Sequence, residues 1–210
     1  MPPGTQDAPH SAALDSSVWS LLAVNLIVLA LALYQRWSLA SFMLLYWSQS
    51  VIIGIANFLR ILNLDKFSTD NFKINNKPVE PTPQIRRQTA LFFAAHYGIF
   101  HAVYLGFIVS SARKEVLFTA AFALCACLFA VNHWWSYRYN RELDRQRTPN
   151  IGTLMFTPYV RILPMHATIL SGALFAPTQA GLAIFGLLKT AADIAMHVVE
   201  QKVLKKVREA

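Results

Sequence analysis

Six apolar stretches, each long enough to cross a lipid bilayer, constrain the fold of this chain more than any other feature. A hydrocarbon core about 30 Å thick is crossed by about 20 apolar residues in an α-helix. Such stretches fold as helices because every backbone polar group in lipid needs an internal hydrogen-bond partner. The predicted spans are residues 18–34, 39–62, 89–112, 116–139, 156–176 and 178–203.

The composition agrees with an all-α, polytopic membrane protein that forms a six-helix transmembrane bundle. Hydrophobic residues make up 55% of the chain and charged residues 14%, whereas soluble domains carry about 25% charged residues. We therefore expect one transmembrane domain over residues 18–203. A disordered tail is expected before it, without a cleavable signal peptide because no basic segment precedes an apolar run. A basic tail, residues 204–210, is expected after it.

The net charge of +8 is distributed unevenly across the predicted membrane. Basic residues concentrate beside two long polar loops, residues 63–88 and 140–155, and near both termini, which fall on the same side. The positive-inside rule makes this the cytoplasmic side, so we expect both termini in the cytoplasm and a multi-pass protein of a bacterial inner membrane. No nucleic-acid-binding motif accompanies the charge, so we exclude that class of partner.

Five of the six histidines lie inside the predicted spans. Ionisable groups at membrane depth are costly and mark functional sites. With a rise of 1.5 Å per residue, His96, His133 and His197 should all lie about 9–11 Å below the cytoplasmic boundary. The other polar side chains at or below this depth are Asn57, Arg161, His101, His166 and Asp193. This layering predicts a polar pocket that opens to the cytoplasm.

Two sets of polar residues each share a helix face. Lys189, Asp193 and His197 are spaced four residues apart, and so are Tyr97 and His101; side chains at this spacing are neighbours on a helix. Asp193 is the only acidic residue deep in the predicted spans. We therefore expect it to form an ion pair with Arg161 or Lys189.

Several short motifs follow one another along the chain: Tyr46-Trp47, Val51 to Gly54 with Asn57, Phe92-Phe93, His96 to Phe100, Pro158 to Ile162 with His166, and Leu188 to Thr190 with Asp193 and His197. In this order and spacing, the motifs resemble the bacterial membrane-protein family DUF6498, a domain of unknown function. The resemblance covers most of the membrane region and implies a polytopic membrane protein without supplying an activity.

The chain departs from the family pattern in two places. Gln49 and Ser50 stand where the pattern has an acidic residue and an asparagine, and Tyr104 stands where it has a second histidine. The resemblance therefore favours the other polar positions as site residues. These are His96, Arg161, His166, Lys189, Asp193 and His197.

The first functional hypothesis is a transition-metal site. Imidazole and carboxylate groups bind zinc or iron, and the expected ligands are His96, His133, His197 and Asp193. An open coordination position would activate water for hydrolysis of a lipid or another amphipathic substrate. The residues expected around the metal, or around a polar ligand in its place, are Arg161, His166, Lys189, Asn57, Tyr97 and His101.

Three other hypotheses remain open at this point. Paired histidines on facing helices could hold haem in an electron carrier. A chain of Asp, His, Arg and Lys side chains is typical of an ion, proton or small-solute transporter. The polar residues could also simply fasten the helices of a non-enzymatic scaffold. The sequence assigns no catalytic residue. The expected partners are the lipid bilayer and a lipid or small-molecule ligand, and a homo-oligomer is left open.

Overall fold

The computed structural model describes residues 9–111, 119–170 and 178–206, and the side chains of residue 19 and of residues 21–110, 119–169 and 178–196. This part of the chain is mostly helical, with one short antiparallel hairpin. The helices are α1 (Pro9–Tyr34), α2 (Leu39–Leu62), α3 (Pro83–Ser111), α4 (Ala120–Arg145), α5 (Ile151–Val160), α6 (Leu163–Leu170) and α7 (Gln179–Lys206). The strands are β1 (Lys73–Ile74) and β2 (Lys77–Pro78).

Three of the described helices are long and apolar enough to cross a membrane. They are α2, residues Pro83–Ser110 of α3, and residues Gln179–Met196 of α7. Two further apolar helices, Leu21–Tyr34 and Ile151–Val160, are shorter than these three. The described part of the chain is therefore mostly helical with three candidate spans, which agrees with the predicted membrane class, and the bundle of six spans with both termini in the cytoplasm stays a prediction.

The helices extend beyond the predicted spans on the side of the long loops. Helix α1 begins at Pro9, within the predicted disordered tail, and α4 continues to Arg145, within the predicted loop 140–155. Helix α3 begins at Pro83, where proline is well tolerated because the first helical residue has no backbone partner for its N–H. The length of an apolar run reflects the thickness of the hydrocarbon core, whereas the helix that crosses the core can continue beyond it.

The predicted fifth span, residues 156–176, is wrong as one continuous helix. Helix α5 ends at Val160 and α6 begins at Leu163, with a turn at Arg161 and Ile162 between them. Pro158 lies inside α5, and proline weakens a helix because it removes a hydrogen bond and clashes with the preceding turn. Residues 171–177, which include the predicted end of this span, lie outside the described residues.

Helix α2 lies at the centre of the packing. It packs against α3, α4 and α5. Helices α1 and α6 both pack against α7. Tyr46 of α2 is fully buried, and its ring contacts Phe42, Phe129 and Phe185 with centroid separations of 5.0, 5.5 and 5.9 Å. Aromatic contacts of this geometry add to the burial of apolar area, so Tyr46 ties α2 to α4 and α7.

Large apolar side chains are exposed along α3 and α4. On α3 they are Leu91, Phe92, Ile99, Phe100, Val103 and Phe107, and on α4 they are Leu124, Leu128, Val131, Trp134 and Trp135. Soluble monomers rarely expose apolar surface of this extent, whereas a surface that contacts lipid requires it. These two faces are consistent with a bundle surrounded by a bilayer.

The long loops meet at one end of the bundle, which we call the loop face (residues 63–82 and 146–150). Ser68 and Asn150 form a parallel β-bridge, and Asn150 accepts a hydrogen bond from the backbone N–H of Thr153 at 3.0 Å to cap α5. Below the loops, Arg60 of α2 forms two hydrogen bonds to the carboxylate of Asp144 of α4. The loops therefore hold the ends of α2, α4 and α5 together.

Gly54 allows the close approach of α2 and α3, and it provides a test of their packing. A Cβ at Gly54 would lie 2.5 Å from Cε1 of Tyr97, whose hydroxyl donates to the Ser50 carbonyl at 3.0 Å. We expect Gly54→Ala to lower the free energy of unfolding by about 1–3 kcal/mol, because the ring must move in a packed interface.

The matched control for this prediction is Gly98→Ala in α3, where a Cβ would meet nothing within 4 Å. Because alanine favours a helix over glycine, this change should be neutral or stabilise the protein by up to about 1 kcal/mol. Both are measured by thermal unfolding in detergent. Equal effects of the two substitutions would contradict the described α2–α3 contact.

Candidate functional site

Four fully buried polar side chains from three helices form what we call the inner cluster: Asn25 of α1, Tyr46 of α2, and Lys189 and Asp193 of α7. Nζ of Lys189 lies 2.5 Å from Oδ1 of Asp193. Nδ2 of Asn25 donates to Oδ2 of Asp193 at 3.5 Å, and the Tyr46 hydroxyl donates to Oδ1 of Asn25 at 3.1 Å. None of the four is more than 1% exposed, so both charges are shielded from solvent.

The helical spacing of α7 creates the ion pair, and the packing around it completes its hydrogen bonds. Lys189 and Asp193 are four residues apart, so they lie side by side on the helix. Nζ of Lys189 is also 5.4 Å from the centre of the Tyr46 ring, a distance at which an ammonium is attracted to an aromatic face. Of the two predicted partners for Asp193, the structure pairs it with Lys189.

A second buried contact extends this polar region toward α4. Nε2 of Gln49 lies 3.1 Å from Nε2 of His133, and both side chains are buried. An amide nitrogen can only donate, so Nε2 of this imidazole accepts the hydrogen bond. Oε1 of Gln49 and the hydroxyl of Ser50 are buried without a hydrogen-bond partner among the described residues.

His133 also lines a cavity of about 60 Å³ between α2, α4 and α5, which we call the His133 cavity. Its lining residues are Ile53, Ala56, Asn57, Arg60, His133, Ser136, Tyr137, Asn140, Thr157, Pro158 and Arg161. Ser136 is exposed, so the cavity reaches the surface. A single water molecule needs about 10–15 Å³ of such volume, so the cavity accommodates a few water molecules and nothing much larger.

Arg161 connects the His133 cavity to the inner cluster by its charge. It occupies the turn between α5 and α6, and it lines the cavity. Its guanidinium is close enough to interact electrostatically with His133 and with Lys189. The carboxylate of Asp193 interacts with His133 in the same way but with opposite sign. The charges of the cavity and of the inner cluster are therefore coupled.

The remaining histidines described by the structure have partners elsewhere. Nδ1 of His96 lies 2.8 Å from the Tyr159 hydroxyl, and the Tyr104 hydroxyl lies 2.6 Å from Nδ1 of His166. Nδ1 of His101 donates to the backbone carbonyl of the residue one turn before it at 2.9 Å, and its Nε2 is buried without a partner among the described residues. The two tyrosine–histidine contacts fasten α3 to α5 and α6.

The predicted metal site is not supported by the described part of the chain. The described side chains, those of residues 19, 21–110, 119–169 and 178–196, include no group of three or more His, Cys, Asp or Glu arranged to hold an ion. His96 contacts Tyr159, whereas His133 contacts Gln49. The side chain of His197 lies outside the described residues. Zinc or iron on His96, His133, His197 and Asp193 therefore stays a prediction, and so does haem.

The sequence analysis expected Arg161, His133 and Asn57 in one pocket, and all three line the His133 cavity. It did not anticipate the contacts of Asn25, Gln49 and Asp144. Asn25 and Gln49 are amides within apolar spans, a signal that was present in the sequence. Asp144 lies near a span end, in a segment predicted to be a loop, so its ion pair with α2 was not anticipated.

The inner cluster predicts a strong energetic coupling between its two charges. Removing one charge leaves the other buried without compensation, which costs about 3–5 kcal/mol. We expect that loss in the free energy of unfolding for Lys189→Met and for Asp193→Asn singly. The double variant Lys189→Met/Asp193→Asn should be more stable than either single variant, because no unpaired charge is left.

Unfolding in SDS-containing mixed micelles measures all three variants. The control is Glu142→Gln, which removes an exposed ion pair with Arg145 and should change the stability by less than about 0.5 kcal/mol. Losses that simply add in the double variant would contradict the pairing of Lys189 with Asp193.

Comparison with known proteins is informative at the level of the family. The model of a family of unknown function, DUF6498, matches residues 7–210 of the chain. No curated protein and no solved structure matches the sequence. The match extends over nearly the whole chain, including every residue of the inner cluster and of the His133 cavity. The chain therefore belongs to the family of unknown function DUF6498.

Proposed function

We propose that this protein is a multi-pass membrane protein that conducts protons across the membrane, from water at the loop face through the His133 cavity and past the buried inner cluster. The observation that carries the proposal is the position of His133. Its imidazole is buried, lines a cavity that reaches the surface, and interacts electrostatically with both charges of the Lys189–Asp193 pair. Chains of Asp, His and Lys side chains inside a membrane are typical of proton pathways.

The size of the His133 cavity favours a proton over a larger substrate. At about 60 Å³, the cavity has room for water but not for a lipid or another amphipathic molecule, since each water molecule needs about 10–15 Å³ of such volume. Its walls carry hydroxyl, amide, imidazole and guanidinium groups, which are suitable partners for ordered water. A short chain of water molecules would bring protons from the exposed end at Ser136 to the imidazole.

The charges around His133 let it respond to the state of the inner cluster. A proton added at Nε2 replaces the hydrogen bond from Gln49 and creates a cation beside Arg161 and Lys189. The carboxylate of Asp193 offsets part of that repulsion. A proton on His133 therefore weakens the attraction between Asp193 and Lys189, which couples proton entry to the ion pair on α7.

The proposal includes the membrane arrangement expected from the sequence. All six predicted spans cross the bilayer, with α5 and α6 belonging to one interrupted span. The loop face lies in the cytoplasm together with both termini, in agreement with the positive-inside rule. The cavity then opens toward the cytoplasm, because Arg60 and Asn140 on its wall lie at the ends of α2 and α4 near the loops.

A scaffold function is the second candidate, and the tyrosine–histidine contacts favour it. The His96–Tyr159 and Tyr104–His166 hydrogen bonds join α3 to α5 and α6 without lining the His133 cavity. Interhelical hydrogen bonds of this kind contribute about 0.6–2 kcal/mol each in membranes. A protein of this kind needs no water path and would carry no proton flux.

Proton flux in reconstituted vesicles separates the two candidates. Purified protein in liposomes that contain a pH-sensitive dye is given a potassium diffusion potential, and the internal pH is followed. We expect flux above that of protein-free liposomes for the natural sequence. His133→Asn should lower it by more than about tenfold, because a group that accepts and releases protons commonly contributes at least that factor.

The matched control is His96→Asn, which makes the same substitution at an exposed histidine outside the cavity and should leave the flux unchanged. No flux above protein-free liposomes for the natural sequence would overturn the proton pathway and support the scaffold function. Equal losses in the two variants would also overturn the assigned position of the pathway.

A further inference from the structure

We propose a second binding site, for a phosphate group, in a crevice at the loop face. The crevice has a volume of about 190 Å³, and we call it the arginine crevice. Its lining residues are Leu62, Asn63, Asp65, Arg86, Arg141 and Arg145. It shares no lining residue with the His133 cavity, so the proposal does not depend on proton conduction.

Three guanidinium groups from two helices face one carboxylate across this crevice. Arg86 comes from the first turns of α3, and Arg141 and Arg145 come from the last turns of α4. Asp65 supplies the single negative charge on the wall. The carboxylate of Glu142 lies 3.3 Å from Nη1 of Arg145 at an exposed position, and the carboxylate of Asp144 is paired with Arg60 of α2. The groups that line the crevice therefore carry a net positive charge.

Arg86 is held in place before any ligand arrives. Its Nη1 donates a hydrogen bond to the backbone carbonyl of Leu64. Its Nε is buried, and it has no hydrogen-bond partner among the described residues. A buried donor without a partner is unusual in a protein and costs free energy. An oxygen atom of a bound anion, or water bound with it, would supply the missing acceptor.

Phosphate is the chemistry that matches this arrangement. Guanidinium groups form paired, charge-assisted hydrogen bonds with phosphate oxygens, and arginine is favoured over lysine for this geometry. Three guanidiniums that converge from different helices suit a tetrahedral group better than a planar carboxylate. The volume is several times the share of one water molecule, about 30 Å³, so a phosphate group fits together with ordered water.

The position of the crevice favours a lipid headgroup as the source of that phosphate. Helix α2 ends at Leu62, α3 begins at Pro83, and α4 ends at Arg145, so the crevice lies where the apolar spans give way to polar loops. Lipid phosphates occupy this level of a bilayer, and basic pockets between transmembrane helices bind anionic headgroups. A free phosphate ester would reach the same groups from solution.

The experiment compares two double variants that lose the same charge. Arg141→Gln/Arg145→Gln removes two crevice arginines, and Arg87→Gln/Arg138→Gln removes two arginines from the same helices, α3 and α4, that are exposed and do not line the crevice. Native mass spectrometry of the full chain in neutral detergent measures the binding of phosphatidic acid, of phosphatidylcholine and of inorganic phosphate. Thermal unfolding confirms that both variants are folded.

We expect the natural protein to bind phosphatidic acid more tightly than phosphatidylcholine. The crevice variant should lose about tenfold or more in affinity, as expected for the loss of charge-assisted hydrogen bonds, and the control should stay within about twofold. Binding of phosphatidic acid that inorganic phosphate does not displace identifies a lipid headgroup as the ligand. Displacement by inorganic phosphate identifies a site for free phosphate. Equal losses in the two double variants, or no binding of either phosphate compound, would overturn the proposal.

Discussion

The buried ion pair between Lys189 and Asp193 is the interaction on which the rest of the structure depends. Both groups are at most 1% exposed, and each charge removed from water costs several kcal/mol unless it is compensated. The compensation comes from two other helices. Asn25 of α1 donates to the carboxylate, and Tyr46 of α2 orients that amide while placing its ring near the ammonium. The ion pair therefore fixes how α1, α2 and α7 pack together.

Helix α2 carries polar side chains from this ion pair to the loop face along one side. Tyr46 contacts the inner cluster, Gln49 contacts His133, Asn57 donates to the Leu154 carbonyl at 2.9 Å, and Arg60 pairs with the end of α4. These positions recur at about the helical period, so they form one continuous stripe. Because the partners of these groups lie on α1, α4 and α5, the stripe also determines which helices surround α2.

Sequence reasoning predicted which polar residues lie near one another more successfully than which partners they contact. The four-residue spacing made Lys189 one of the two expected partners of Asp193, and the structure pairs them. His133 and Arg161, which were expected in one pocket, line the same cavity. His96 was expected there too, but it contacts Tyr159 instead. Rise per residue gives the height of a side chain, whereas the rotation of one helix against another depends on the packing of the whole bundle.

The break between α5 and α6 explains how a charged residue is tolerated at the His133 cavity. Irregular backbone at membrane depth is stable only where it is buried in protein or lines a water-filled cavity. Here the turn recovers two hydrogen bonds, from the backbone N–H of Arg161 to the Pro158 carbonyl at 3.2 Å and from that of Ile162 to the Tyr159 carbonyl at 3.0 Å. The guanidinium of Arg161 lines the cavity. A continuous helix would give the guanidinium a different direction, so the interruption and the cavity depend on each other.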